Sequence, residues 1–128
     1  MITDPAKIFI PGNCPSLKNS KSTFIVNNKV NLVHSSAVRD YIKANEWVYV
    51  GEKEKFKKLS IKRIKPYKIH FFFVRKTKGR FDYINAAQIV LDLMVKSGWI
   101  DDDNANEVIP VFDGFSVDKD SPGVFIYF

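Results

Sequence analysis

The stretch Tyr67-Lys68-Ile69-His70-Phe71-Phe72-Phe73-Val74, followed by the loop Arg75-Lys76-Thr77-Lys78-Gly79-Arg80 and then by Asp82, decides the fold. Tyr67, Ile69, Phe71 and Phe73 alternate with Lys68, His70, Phe72 and Val74, so the segment is apolar on both faces for part of its length. That pattern predicts a long strand in the middle of a sheet. Beyond the loop, Ala86, Ile89, Val90, Leu93 and Met94 recur at helical spacing. With Lys96 in the last turn and Gly98 just past it, they predict a helix over about 83–97. His70 reads as a packed strand residue rather than a base or ligand, since nothing beside it completes a triad or metal site.

Working outward, Ile8-Phe9-Ile10 is a short strand stopped by Pro11-Gly12, a turn signal that a central strand would not tolerate. Thr23–Val26 and Val30–Val33 flank Asn27-Asn28-Lys29 and predict a hairpin. Ser35 or Ser36 can cap a helix that begins near residue 36 and carries Val38, Tyr41 and Ile42 at helical spacing. The region 51–65, rich in Glu and Lys, reads either as a polar helix or as a loop, with Phe56, Leu59, Ile61 and Ile64 as its core contacts. Val108–Phe112 and Gly123–Phe128 are two further strands. Strands outnumber helices and are partly consecutive, so the expectation is an α+β fold: one domain over 1–128, a mixed β-sheet with two main helices packed on it. A chain of 128 residues buries roughly two-thirds of its unfolded surface, enough for one core.

Charge divides the chain. Residues 1–80 hold 18 Lys or Arg against 5 Asp or Glu, whereas residues 81–128 hold 2 against 9, giving +13 and −7 within a net +6. A basic surface of this size attracts a polyanion, and carboxylates beside it suit a divalent cation held against phosphate; a solvated face serving solubility is the competing reading. No apolar run approaches the ~20 residues that cross a bilayer, and the first residues lack a basic region followed by an apolar one. The expectation is a soluble cytoplasmic protein without a membrane partner. Cys14, the single cysteine, argues against an internal disulfide and against a structural zinc site.

Asp82 opens the second helix, and Asp101-Asp102-Asp103-Asn104 follow its end. A helix of about 15 residues separates the two places by roughly 20 Å, so a shared ion requires the acidic loop to fold back along the helix. On the residues alone, Asp82 reads as an N-cap before it reads as a ligand. Three adjacent aspartates are harder to explain structurally, since like charges repel and an Asx turn needs only one. Such clusters suit Mg²⁺. The calcium-loop pattern fails, because Ala105 follows and the loop has no Gly. Trp47, Tyr49 and Trp99 are read as packing residues before base-stacking ones.

Arg80-Phe81-Asp82-Tyr83-Ile84-Asn85, then Leu91-Asp92-Leu93-Met94-Val95-Lys96-Ser97-Gly98, then Asp102-Asp103, resemble the core of RusA-like endodeoxyribonucleases, the Holliday junction resolvases. There a D-x-D-N turn opens a helix, a Lys follows, the helix carries an internal Asp and ends near a Gly, and a D-D pair comes next. Pro15-Ser16-Leu17-Lys18-Asn19-Ser20-Lys21 is similar to the family's N-terminal P-S-x-x-N loop. The resemblance implies a homodimer that cleaves branched DNA with Mg²⁺, or Mn²⁺ in its place. It makes Asp82, Asp102 and Asp103 the catalytic acids and the metal ligands, with Asp101 an extra carboxylate at the metal and Asp92 structural. Lys18, Lys21, Lys76, Lys78 and Arg80 would bind DNA. Ile84 stands where the family has its second acid and Gln88 where it has the Lys, so a DNA-binding protein without hydrolysis is the alternative.

Overall fold

The computed structural model describes residues 4–16, 21–26, 29–34 and 36–128, with residues 21–34 described by their backbone alone. Strand β1 runs over Lys7–Pro11, β2 over Lys21–Val26 and β3 over Lys29–His34. Helix α1 spans Ser36–Ser60, β4 Tyr67–Arg75, α2 Tyr83–Lys96, β5 Val108–Val117 and β6 Gly123–Tyr127. The four-stranded sheet has the order β1-β6-β4-β5, and β2 and β3 form the expected hairpin as a separate pair. The architecture is α+β, a mixed sheet with two helices.

The aromatic run takes the place its pattern demands. In β4, Phe71 pairs with Ile126 of antiparallel β6 on one side and with Phe112 of parallel β5 on the other. Ile69, Phe71 and Phe73 are fully buried on one face with Ile8, Ile10, Val124 and Ile126. Ala86, Val90, Leu93 and Met94 of α2 and Val38, Tyr41, Tyr49 and Phe56 of α1 join them in one cluster. Each large side chain buried this way contributes about 1.5–3 kcal/mol, so Phe71→Asp, which would also bury an unpaired carboxylate, should unfold the domain. Parallel β4 and β5 are joined through α2, a βαβ unit. In such units, ligands gather at the carboxyl ends of the strands, here the end of β4 and the start of α2.

Several details differ from the sequence reading. Helix α1 continues through Gly51 to Ser60, because Phe56 is buried against Trp99 (ring centroids 5.1 Å) and Phe128 (5.4 Å). Ile61 and Ile64 lie beyond the helix and are 80% and 87% exposed, so they are not core contacts. Strand β5 extends five residues past Phe112, to Val117. Register shifts there: Phe71 faces Phe112 but Phe72 faces Gly114, leaving Asp113 in a bulge, and Gly114 supplies the positive φ of 126°. Of the three aromatics weighed for stacking, Tyr49 and Trp99 are buried, with Trp99 Nε1 donating to the Tyr49 carbonyl at 2.7 Å, whereas Trp47 is 73% exposed.

Candidate functional site

Asp82 occupies the N-cap position of α2 with extended backbone (φ −112°, ψ 129°), and its carbonyl accepts from Ala86 N at 3.1 Å. Its carboxylate makes no cap hydrogen bond. The cap reading is therefore right about position and wrong about the bond. The carboxylate instead accepts from Asn85 Nδ2 at 3.4 Å and stays exposed. It lies at an open cleft of about 550 Å³ lined by Phe81, Asp82, Tyr83, Ile84, Asn85 and Phe112. Tyr83 stacks on Phe112 (5.4 Å, 12°) and Phe81 meets Tyr83 edge-on (5.2 Å). The aromatic walls of this cleft escaped the sequence reading, because Phe112 arrives from β5 and only strand pairing brings it beside Phe81 and Tyr83.

The acids past α2 form a second group. Asp101 is drawn away by Lys65, whose Nζ lies 3.1 Å from it and 2.7 Å from Glu107. Asp102 Oδ1 accepts from the Asp103 backbone N at 2.8 Å and its Oδ2 from Asn104 Nδ2 at 3.1 Å. Burial, then the hydrogen bond its protonated form donates to Asp102 and the charges of Asp92 and Asp102, raise the Asp103 carboxyl above its ordinary value. The acidic loop thus lies within electrostatic reach of the turn of α2 that carries Asp92. That turn is ten residues, about 15 Å of helix rise, from Asp82. Asp92, read from sequence as structural, is one of the two acids whose charge reaches Asp103. Gln88, standing in the family's Lys position, donates from Nε2 to Asp92 Oδ1 at 2.9 Å.

Asp82, Asn85, Gln88 and Asp92 form one polar stripe on α2, spaced close to whole helical turns. Among the described residues no three His, Cys, Asp or Glu side chains are placed to hold one ion together. Mg²⁺ is usually held by one or two carboxylates, with water and substrate phosphate completing its shell. Asp103 paired with either Asp92 or Asp102 would supply the two carboxylates of such a site, and the charge of each raises the Asp103 carboxyl.

The cations divide in two. In the loop after β4, Lys76, Lys78 and Arg80 are exposed, and among the described residues none forms an ion pair. The Lys76 backbone N is fixed by Asn13 Oδ1 at 2.9 Å. Elsewhere the lysines hold the fold: Lys55 Nζ donates to the Asp4 and Lys7 carbonyls at 3.0 and 2.6 Å, Lys57 Nζ to the Trp99 carbonyl at 2.9 Å, and Lys96 pairs with Glu46 at 2.7 Å. Lys55 and Lys57, with Lys65, are therefore cations of the positive half already engaged within the fold, while Lys96 belongs to the acidic half. Lys18 lies outside the described residues, and Lys21 is described only as the first residue of β2.

His70 belongs to the opposite face of the sheet. Its Nδ1 lies 3.0 Å from Asp113 Oδ2, its ring stacks on Tyr127 (5.4 Å), and Tyr127 Oη donates to the same carboxylate. These bonds hold the Asp113 carboxyl below its ordinary range, the Tyr127 contact acting most strongly, and raise Tyr127 to about 12, with burial the larger cause. Comparison with protein-family models and with curated proteins gives no match. No helix among the described residues is long and apolar enough to cross a membrane.

Proposed function

We propose that the chain is a magnesium-dependent, structure-selective endonuclease of the RusA-like kind, acting in the cytoplasm as a homodimer on four-way junctions and related branched DNA. The observation that carries this reading is the Asp82 carboxylate: free of its capping bond, exposed at an aromatic cleft, and two residues past a loop of unpaired cations. Lys76, Lys78 and Arg80 would bind backbone phosphates, a contact that gives affinity without sequence readout. Phe81, Tyr83 and Phe112 offer ring surface to a base splayed from the stack, worth about 1–3 kcal/mol per base. Asp82, steadied by Asn85, would accept a proton from, or orient, the water that attacks phosphorus. When bound at Asp103 with Asp92 or Asp102, Mg²⁺ would neutralise charge on a backbone phosphate farther along the strand than the one beside Asp82, and acidify a water there.

Two features favour a second reading, a protein that binds branched DNA without cutting it. Ile84, 73% exposed on the cleft, puts a side chain with no ligand atom where the family has an acid, and the Gln88 amide, engaged with Asp92, puts no cation there. One experiment separates them: incubation with a labelled synthetic four-way junction and a linear duplex control, in Mg²⁺ or Mn²⁺ and in EDTA. Symmetric, metal-dependent nicking of the junction is expected. Junction binding without nicking would establish the second reading, and equal indifference to both DNAs would sink the two together.

A further inference from the structure

Arg75 ends β4 and its side chain is buried, 8% exposed. A guanidinium does not give up its proton in proteins, and buried charges are ordinarily paired with an opposite charge. Among the described residues, every group that meets Arg75 is neutral. Nη1 donates to the Cys14 carbonyl, Nη2 to Ser16 Oγ at 3.4 Å, and the guanidinium carbon lies 4.5 Å from the centre of the Phe81 ring. None of the ion pairs among the described residues includes it. Nor do the remaining positions supply a counter-charge, since residues 1–3, 17–35 contain no Asp or Glu at all. Among the described residues, the other ionisable group acting on Arg75 is the Cys14 thiol, which burial pushes up to about 11 and so keeps neutral.

The position of this uncompensated cation gives it a use. It joins the loop 12–16 to the carboxyl end of β4, immediately ahead of Lys76, Lys78 and Arg80, and it lies on the ring of Phe81, which lines the Asp82 cleft. Two of the five guanidinium donors are engaged among the described residues, one of them at the long end of hydrogen-bond range. We propose that Arg75, with the Ser16 hydroxyl, forms a phosphate subsite that takes one backbone phosphate of the DNA strand entering the Asp82 cleft. The phosphate would supply the missing negative charge in the bidentate geometry to which a guanidinium is suited. The proposal rests on the nucleic-acid reading of the cleft, and adds to it a strand path between the N-terminal loop and the basic loop.

The test has two arms. In the first, the isotope-labelled wild-type chain is titrated with inorganic phosphate against chloride at matched ionic strength. A saturable shift of the Arg75 Nε–Hε resonance, weaker in Ser16→Ala, is expected; no saturable shift overturns the subsite, whatever DNA the protein binds. In the second, junction affinity is measured across salt concentrations for wild type and Arg75→Gln. Loss of one phosphate contact should lower the slope of log affinity against log salt by about 0.9. A phosphate shift with an unchanged slope overturns the DNA assignment in favour of a free-phosphate ligand. Circular dichroism checks that Arg75→Gln folds, and Ser16→Ala carries the slope comparison if it does not. Should the wild type bind no DNA, the nuclease reading falls, and the DNA assignment with it, while the phosphate titration still decides whether Arg75 and Ser16 take the anion.

Discussion

Tyr41 is the middle link of a buried chain of three polar groups, and removing its hydroxyl should cost more than removing that of its neighbour. Cys14 Sγ donates to Tyr41 Oη at 3.6 Å, and Tyr41 Oη lies 2.9 Å from Tyr49 Oη, all three side chains being at most 5% exposed. In Tyr49→Phe, the Tyr41 hydroxyl keeps the Cys14 contact, and the loss is that of one hydrogen bond, about 1 kcal/mol. In Tyr41→Phe, the Tyr49 hydroxyl is stranded without water, and the desolvation penalty brings the loss to about 2 kcal/mol. The double variant leaves no stranded phenol, so it should cost about 2 kcal/mol rather than the sum of the two, a coupling of about 1 kcal/mol. Urea unfolding of the four proteins at constant m measures this, with Tm falling about 8 °C for Tyr41→Phe and about 4 °C for Tyr49→Phe. If Tyr49→Phe were the worse of the two, or the losses simply added, the order of the chain would be wrong.

Cys14 should resist alkylation at pH 8 in the native protein and react at once in denaturant, because its thiol is buried and its pKa is near 11; rapid native labelling monitored by mass spectrometry would contradict that burial. Gly123→Ala places a methyl carbon 2.6 Å from the Ile10 carbonyl and against the Phe9 ring, and should cost about 1–3 kcal/mol in thermal unfolding, whereas a neutral result would mean that β1 moves freely. Asp113 has a depressed pKa, so its contribution to stability is present above the unfolded carboxylate range and is lost as pH falls through the lower folded value. Asp113→Asn should therefore flatten the acid limb of a stability-against-pH curve below the unfolded carboxylate range, and an unaltered limb would count against the Tyr127 and His70 contacts. Asp103→Asn should abolish metal-dependent nicking while leaving junction affinity in place, whereas the combined Lys76→Ala, Lys78→Ala and Arg80→Ala change should reduce affinity and lower the salt slope by about 3. Undiminished cleavage by Asp103→Asn would show that the metal site lies elsewhere.

Periodicity revealed most of the frame, since Ile69, Phe71 and Phe73 had to be central and Ala86 to Met94 had to be one helix face. It failed at residues 51–65 because the continuation of α1 depends on Phe56 meeting Trp99 and Phe128, contacts more than forty residues away in sequence. The candidate site was legible where chemistry is local: Asp82 at the head of α2 and the basic loop before it. It was not legible where a neutral partner or a distant chain segment decides the role. Nothing in the spelling of Arg75 says that its side chain turns inward to a carbonyl, while Lys76 and Lys78 remain outside. Nor does Gln88-x-x-x-Asp92, an ordinary helical pair, reveal that its acid faces the loop of aspartates.

The break in β5 has a consequence for how copies of this chain can meet. β5 lies at the border of the sheet, paired to β4 along one side. A strand arriving on its free side would find no N–H at Pro110 and then, at the Asp113–Gly114 bulge, a ladder thrown out of step. Proline and bulges are the means by which open sheets refuse further strands. The ten-residue border is thus protected against growth into a continuous intermolecular sheet. Copies that associate along this border must meet through side chains rather than through a shared ladder.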